Sequence, residues 1–320
     1  MPGHAGYSTR FSQAEIFMGQ LSLFASENAL PRRAGVGLKA GHYRTILDTT
    51  PDIGFFEVHA ENYMGAGGAP HRYLAAVRER YPLSMHGVGM SIGSEQPLDR
   101  AHLAKLRLVV ERHAPAVISE HLAWSSHDGC FLNDLLPIPY TMQTLVRVRD
   151  HVDEIQDALG RQILLENPST YVAFAESTFA EADFIGEIVR RTGCGMLLDV
   201  NNVYVASVNQ RWDPRAYIDA CPLAAVGEIH LAGHNREADE NGWPLLVDTH
   251  DRPVAPAVWD LFAYTLAQTG PVPTLIEWDA NVPSWPILAS EADHAGTLLL
   301  ASARPVADPQ RAYAAQIPCG

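Results

Sequence analysis

Leu245-Leu-Val-Asp-Thr-His250 is a short apolar run that ends by presenting an aspartate and a histidine two residues apart. Read as a strand, its period-two alternation turns Asp248 and His250 to one face. A carboxylate and an imidazole delivered together make half of a metal site. A lone Asp-x-His pair is commoner on a surface loop. The pattern recurs, however, and the recurrence decides the fold: nearly every short apolar run in the chain stops at His, Glu, Asp or Asn.

The runs alternate with amphipathic segments from Gly35 onward. Strands are expected over 35–39, 55–59, 83–86, 116–120, 162–166, 195–199, 226–230 and 274–277. Helices are expected over 42–50, 70–80, 99–114, 141–159, 178–192, 214–220, 256–268 and 289–301. An extra short strand, 245–247, lies in the loop beyond the seventh. Eight strand–helix units over about 270 residues fit an α/β fold of the (β/α)8 TIM-barrel type, which typically takes about 250. The rival, a doubly wound open sheet, would carry Gly-x-Gly-x-x-Gly after a strand, and none does. In a barrel the catalytic groups sit at the C-terminal ends of the strands, where the polar residues fall in this chain. The expected organisation is one catalytic barrel over 31–303, with an N-terminal extension over 1–30 that is poorly fixed or a docking helix, and a Pro-rich tail over 304–320. The stretch 124–139 after the fourth strand is read as a loop, long enough to suggest function rather than connection.

Composition bounds the partners. The 320 residues are 47% hydrophobic and 19% charged, ordinary for a globular enzyme, with a net charge of −14. The basic residues form no run, so the electrostatic footprint of a nucleic-acid binder is missing. Cys130, Cys194, Cys221 and Cys319 are scattered with no Cys-x-x-Cys, which reads as reduced thiols in a cytoplasmic protein. No run approaches the ~18 apolar residues of a membrane helix.

The strand-end residues are His59 with Glu61, His86, Glu120 with His121, Glu166 with Asn167, Asp199 with Asn202, His230 with His234, Asp248 with His250, and Glu277 with Asp279. Taken singly, each reads as a hydrogen-bonded structural histidine or a helix-capping carboxylate. Taken together at one barrel mouth, they need cations, because an unpaired buried charge costs several kcal/mol. The expected metal ligands are His59, His86, Glu120, Glu166, Asp199, Asn202, His230, Asp248, His250 and Glu277. Of these His59, Glu120, Asp248 and His250 are expected to carry the chemistry. Glu61, Asn62, Asn167, His234, Trp278 and Asp279 are expected to support the ligands or face the substrate. So many candidates exceed the needs of one ion, which takes about four to six ligands, so bridging carboxylates and two or three metals follow. Ligands of His and carboxylate without cysteine suit iron, manganese or zinc and do not choose among them.

The ordered motifs Gly35-Val-Gly-Leu-Lys39, Val58-His-Ala-Glu-Asn-Tyr63, Met85-His-Gly-Val-Gly89 and Ser119-Glu-His-Leu-Ala-Trp124 continue with Leu165-Glu-Asn-Pro168 and Leu198-Asp-Val-Asn-Asn202. Ile229-His-Leu-Ala-Gly-His234, Val247-Asp-Thr-His250 and Ile276-Glu-Trp-Asp279 complete the series. Together they resemble the multinuclear non-haem iron oxidative enzymes that include the methanobactin-maturation oxidase. The resemblance runs from about Pro31 to Leu300. It implies a xylose-isomerase-like barrel holding two or three iron ions, mixed-valent Fe(II)/Fe(III), with zinc or manganese as substitutes. It further implies dioxygen-dependent modification of cysteine in a ribosomally made precursor peptide, delivered by a small partner protein, starting from hydrogen abstraction at the cysteine β-carbon. The same barrel lineage contains abasic-site endonucleases and sugar isomerases, so a divalent-metal hydrolase or isomerase is the competing class. The first would lean on phosphate contacts that this acidic chain does not favour. The second generally needs a placed lysine, for which only Lys39 is positioned, since Lys105 falls mid-helix. A non-enzymatic metal-binding protein is the third class, and the long loop and the Gly-rich stretch 65–68 speak instead for substrate access.

Overall fold

A computed structural model describes residues 29–303. The expectations for the N-terminal extension and the tail lie outside the described residues. Eight parallel strands close into a barrel: β1 (Ala34–Gly37), β2 (Phe56–His59), β3 (Leu83–Gly87), β4 (Val117–His121), β7 (Leu164–Glu166), β8 (Gly195–Asp199), β9 (Val226–Ala232) and β12 (Thr274–Glu277). Around them run α1 (Tyr43–Thr49), α2 (Ala69–Arg78), α3 (Arg100–His113), α4 (Met142–Leu159), α5 (Glu181–Thr192), α6 (Val200–Gln210), α7 (Pro214–Ala220), α8 (Pro256–Thr269) and α9 (Trp285–Ser302). Among the described residues no helix is long and apolar enough to cross a membrane.

Three elements differ from the sequence expectation. The stretch 124–139 is an antiparallel hairpin, β5 (Trp124–His127) and β6 (Cys130–Leu136). Its turn is Asp128-Gly129, both at positive φ (46° and 76°), the backbone a two-residue hairpin connection demands. Helix α6 begins directly at the end of β8 with no loop between; Asp199 caps it by accepting from the Asn202 N–H at 2.6 Å. The extra strand, β11 (Pro244–Val247), belongs to a second exposed hairpin with β10 (Asn235–Ala238). It is therefore not the buried run anticipated. His250 stands at φ 47°, so a turn, not strand alternation, brings it beside Asp248.

Inside the barrel the side chains form layers. The register pairs Glu57 with Ser84 and His59 with His86, and it pairs Leu197 with Glu228 and Asp199 with His230. Paired residues of neighbouring strands share a face. The interior thus runs from an apolar base of Phe55 and Leu275, packed with Leu30 and Val117, through a polar layer of Glu57, Ser84 and Glu228, to the ligand-bearing mouth. The much larger hydrophobic core lies between sheet and helices. Phe55 is fully buried beneath the polar layer. Phe55→Ala is expected to cost about 3–5 kcal/mol of stability by the usual scale for buried aromatics. Denaturant unfolding with an unchanged m-value measures this, and a loss below about 1 kcal/mol would mean the base is not packed as described.

Candidate metal centre

The first cluster forms where β3, β4 and β7 end. His86 Nε2 and His121 Nε2 face each other at 3.1 Å, and Glu166 Oε2 lies 3.0 Å from the first and 3.3 Å from the second. The Gly87 carbonyl accepts from the His121 ring at Nδ1, 3.0 Å away, which leaves the Nε2 lone pair aimed at the cluster. Ser119 Oγ holds the other side of the His86 ring at 2.7 Å. Two ring nitrogens and a carboxylate oxygen gathered this way could hold a cation. Ligand atoms ~2.1 Å from one ion lie ~3.0–3.4 Å from each other in octahedral or tetrahedral shells, the spacing seen here.

Glu166 also belongs to a second group with Asp199 and His230, and Asp199 to a third with His250 and Glu277. Glu277 joins His59 and Asp279 in a fourth, and His230 joins Glu57 and Glu228 in a fifth. The groups therefore share corners, as bridged ions require. Asp199 Oδ2 and Asn202 Oδ1 are buried without a hydrogen-bond partner among the described residues. Buried polar atoms are seldom left so, and two oxygens of this kind beside the clustered histidines and carboxylates fit a metal ion.

Electrostatics make the same point. Burial by itself would lower the His86 pKa, but Glu166 overrides it and lifts it to about 10. Burial would raise Glu166, yet His121 and His86 pull it down to about 2. Burial, then Glu166 and Asp248, push Asp199 well above the carboxylate range. Burial opposes charging His230 and His250 too, and their carboxylate neighbours win in both. Without metal the site must hold protons in place of cations.

The supporting residues interlock. Asn167 donates to the Asp199 carbonyl at 3.0 Å and accepts from its N–H at 2.9 Å, clamping the ligand's backbone. Asn202 donates to Glu166 Oε1 at 3.2 Å. His234 meets Asn201 Oδ1 at 2.8 Å, and Asn201 in turn donates to Asp248 Oδ1 at 2.7 Å, which sits 2.7 Å from His250 Nε2. Asp279 contacts His250 Nδ1 at 3.1 Å and takes Lys39 Nζ at 2.5 Å. Gly233 lets this turn pass, since a Cβ there would collide with the Arg252 carbonyl oxygen. His59, Lys39 and Asn62 line a cavity of about 330 Å³ that opens onto Glu277 and Asp279.

Not every expected ligand joins a cluster. Asp248 is in none of the five groups and touches the centre through His250. Glu120 is in none either, and the pleat explains why. His121 pairs with Glu166 and shares its inward face, so its neighbour Glu120 points the other way. There burial and then Glu61 raise its pKa to about 8, in space left by Gly87, where a Cβ would meet Glu120 Oε1. Glu61 itself faces the backbone, accepting from the N–H groups of Val88 and Gly89 at 3.0 and 2.8 Å. Trp278 is packed in the main core, with Nε1 buried and without a hydrogen-bond partner among the described residues.

Sequence reasoning left out His121 as a ligand, Asn201 as the partner of Asp248, and the polar layer below. In that layer Ser84 Oγ lies 2.9 Å from Glu57 Oε2 and 2.8 Å from Glu228 Oε2. One hydroxyl carries one hydrogen, so a second proton must serve the other contact. Burial and then Glu57 push Glu228 up to about 8, so it holds that proton and donates to Ser84, which donates to Glu57. Glu57 Oε2 stands 3.4 Å from His230 Nε2, while Glu277 Oε2 is 3.2 Å from Nδ1.

Residues 33–300 match the model of the RiPP precursor modification enzyme family MbnB/TglH/ChrH, enzymes acting on precursors of ribosomally made, modified peptides. The chain belongs to this family. It is 57% identical over 270 residues to a UPF0276 protein of Bordetella bronchiseptica, covering 84% of this chain and 93% of the relative. A UPF0276 protein of Rhizobium meliloti is 55% identical over 267 residues, with 83% and 86% covered. Among solved structures, D-psicose 3-epimerase from Clostridium cellulolyticum superposes with TM-score 0.57 at 12% identity over 85% of this chain and all of that one (100%). Endonuclease IV from Thermus thermophilus gives 0.55 at 16%, covering 84% and 99%. A xylose isomerase-like TIM barrel protein from Mycobacterium smegmatis in complex with magnesium gives 0.55 at 13%, covering 83% and 91%. At such identities these neighbours show the shared barrel and nothing of its chemistry. The MbnB/TglH/ChrH family is what ties this barrel to peptide precursors.

Proposed function

We propose that this protein is a cytoplasmic, iron-dependent enzyme that uses dioxygen to modify cysteine residues of a ribosomally made precursor peptide, with a small partner protein presenting the peptide. The observation that carries the reading is the sharing of Glu166 between two ligand groups, His86/His121 and Asp199/His230. His86, His121, Glu166, Asp199, His230, His250 and Glu277 would hold two or three irons, with His59 and Asp279 at the open side.

Iron held by these residues would supply electrons for dioxygen and a position for a substrate thiolate. The protein's own groups do the rest. No cysteine stands among the ligands, so a peptide sulfur would be the only soft donor there. The cavity beside His59 gives the thiol entry, and His59 Nε2, 3.9 Å from Glu277 and 3.8 Å from Asp279, is placed to take its proton. Lys39 neutralises Asp279, keeping that rim from repelling an incoming thiolate. Asn167, Asn201 and the Gly87 carbonyl fix ligand orientation so that the open side stays in one place.

Metal analysis of anaerobically purified protein, with electron paramagnetic resonance on the same sample, tests this. Two or more irons per chain with a coupled mixed-valent signal are expected. Zinc alone, with no gain on adding iron, would sink the oxidative reading and favour hydrolysis or metal storage.

A further inference from the structure

A second cavity, of about 420 Å³, opens between the loop after β7 and helices α5 and α7. Its wall is mostly apolar and aromatic, including Ile138, Phe174, Phe179 and Trp212. Trp212 and Tyr217 stack within it at 5.2 Å. Into this wall is set the carboxylate of Glu181, accepting from Tyr140 Oη at 2.7 Å and from Tyr217 Oη at 2.6 Å. With both oxygens engaged by phenol donors, the ionised form is the one these bonds favour. Burial nevertheless pushes the Glu181 pKa above the ordinary range, against the pull of Tyr217 and Tyr140.

What the group lacks is a counter-charge. The cavity wall contains no Lys, Arg or His, and it adds a second acid, Asp213. The first turn of α5, where Glu181 sits, contributes only the partial positive charge of a helix N-terminus. An apolar channel ending in an anion matches a side chain with an aliphatic stem and a cationic head. The chain's net charge of −14 favours a basic partner over its whole surface.

The cavity is also joined to the metal centre. Thr170, in its wall, is four residues past Glu166, so the two Cα atoms are at most ~14 Å apart. Gln210 Nε2 donates to the Thr170 carbonyl at 3.1 Å, and the adjacent Tyr171 hydroxyl accepts from the Asp248 N–H at 3.0 Å. One loop thus spans both places, within reach of a short peptide.

We propose that this cavity is a subsite for the precursor peptide, taking a lysine or arginine side chain whose stem lies along the apolar wall and whose head meets Glu181. That the occupant comes from a precursor peptide rests on the function proposed above; its charge and shape rest on the cavity alone.

The test uses N-acetyl amides of lysine, arginine, norleucine and glutamate as probes, read by saturation-transfer NMR and by Trp fluorescence. The lysine and arginine amides are expected to bind at least tenfold more tightly than the other two. Glu181→Gln, which keeps an acceptor for the tyrosines, should erase that preference. Ala216→Phe, which fills the cavity from α7, should abolish all binding, while metal content and Tm stay unchanged in both variants. Norleucine binding as well as lysine, or a lysine preference surviving Glu181→Gln, would overturn the proposal. The probes contain no thiol, so the experiment is repeated on metal-depleted protein. A zinc-only protein that still selects lysine at Glu181 would refute the oxidative reading and uphold the cavity. On metal-loaded protein, N-acetyl-Lys-Gly-Gly-Gly-Cys amide should bind at least tenfold tighter than its norleucine analogue. Equal affinities there would overturn the placement within a short peptide's reach of the metal centre.

Discussion

Glu166→Ala is expected to empty the centre of more than one ion. Its carboxylate is common to the His86/His121 group and the Asp199/His230 group, and it is almost fully buried. Removing it leaves His86 and His121 with two facing lone pairs and no anion, while Asp199 loses the acidic neighbour that raises its pKa most. Even a partner one step removed from a metal changes affinity about 10–100-fold, so loss of a shared ligand should exceed that at both groups. Metal stoichiometry should fall by at least two ions per chain, with activity lost in step. His59→Ala, which touches only the outer group with Glu277 and Asp279, should cost no more than one. The contrast between these two variants is the measurement. A Glu166→Ala protein that retained its full metal complement would show that the groups do not share a corner.

Much of the barrel is legible in the sequence because a strand buried on both faces must be a short apolar run, and its end must meet solvent or a ligand. β8 and β12 occupy the expected 195–199 and 274–277, and the other barrel strands lie within a few residues of expectation. Helix α6 was hidden because Asp199 serves twice, as the last residue of a strand and the cap of the next helix. The β5–β6 hairpin was hidden by polar, exposed residues, although Asp128-Gly129 between them is a strong turn signal. Which of Glu120 and His121 faces inward is a matter of register, and only the pairing with β7 decides it. The polar layer escaped because a glutamate within an apolar run reads as an exposed position. Its signal was the repeat Glu57-x-His59 and Glu228-x-His230, two carboxylates each two residues before a mouth histidine on the same face.

That layer supplies the other large effect. Glu57 sits at one nitrogen of the His230 ring and Glu277 at the other, so the ring is fixed from both edges. Carboxylates behind metal-bound histidines orient the ring and raise its basicity, and their loss typically costs about 10–100-fold in metal affinity. Glu57→Ala is therefore expected to weaken one ion by about that factor while leaving the others in place. Stability of the metal-free protein should fall as well, because Glu57 accepts from Ser84 and pairs with His230, and its loss leaves both buried groups without that partner. Glu57→Gln keeps an acceptor of the same shape and should recover most of the affinity. Titrating metal into each variant, with thermal unfolding of the same samples, separates the two roles. A merely structural Glu57 would lower Tm and leave affinity alone, whereas a positioning Glu57 also lowers affinity, and glutamine restores that affinity. Burying the acid beneath the mouth is costly in desolvation, and the orientation of His230 is what the geometry shows it to serve.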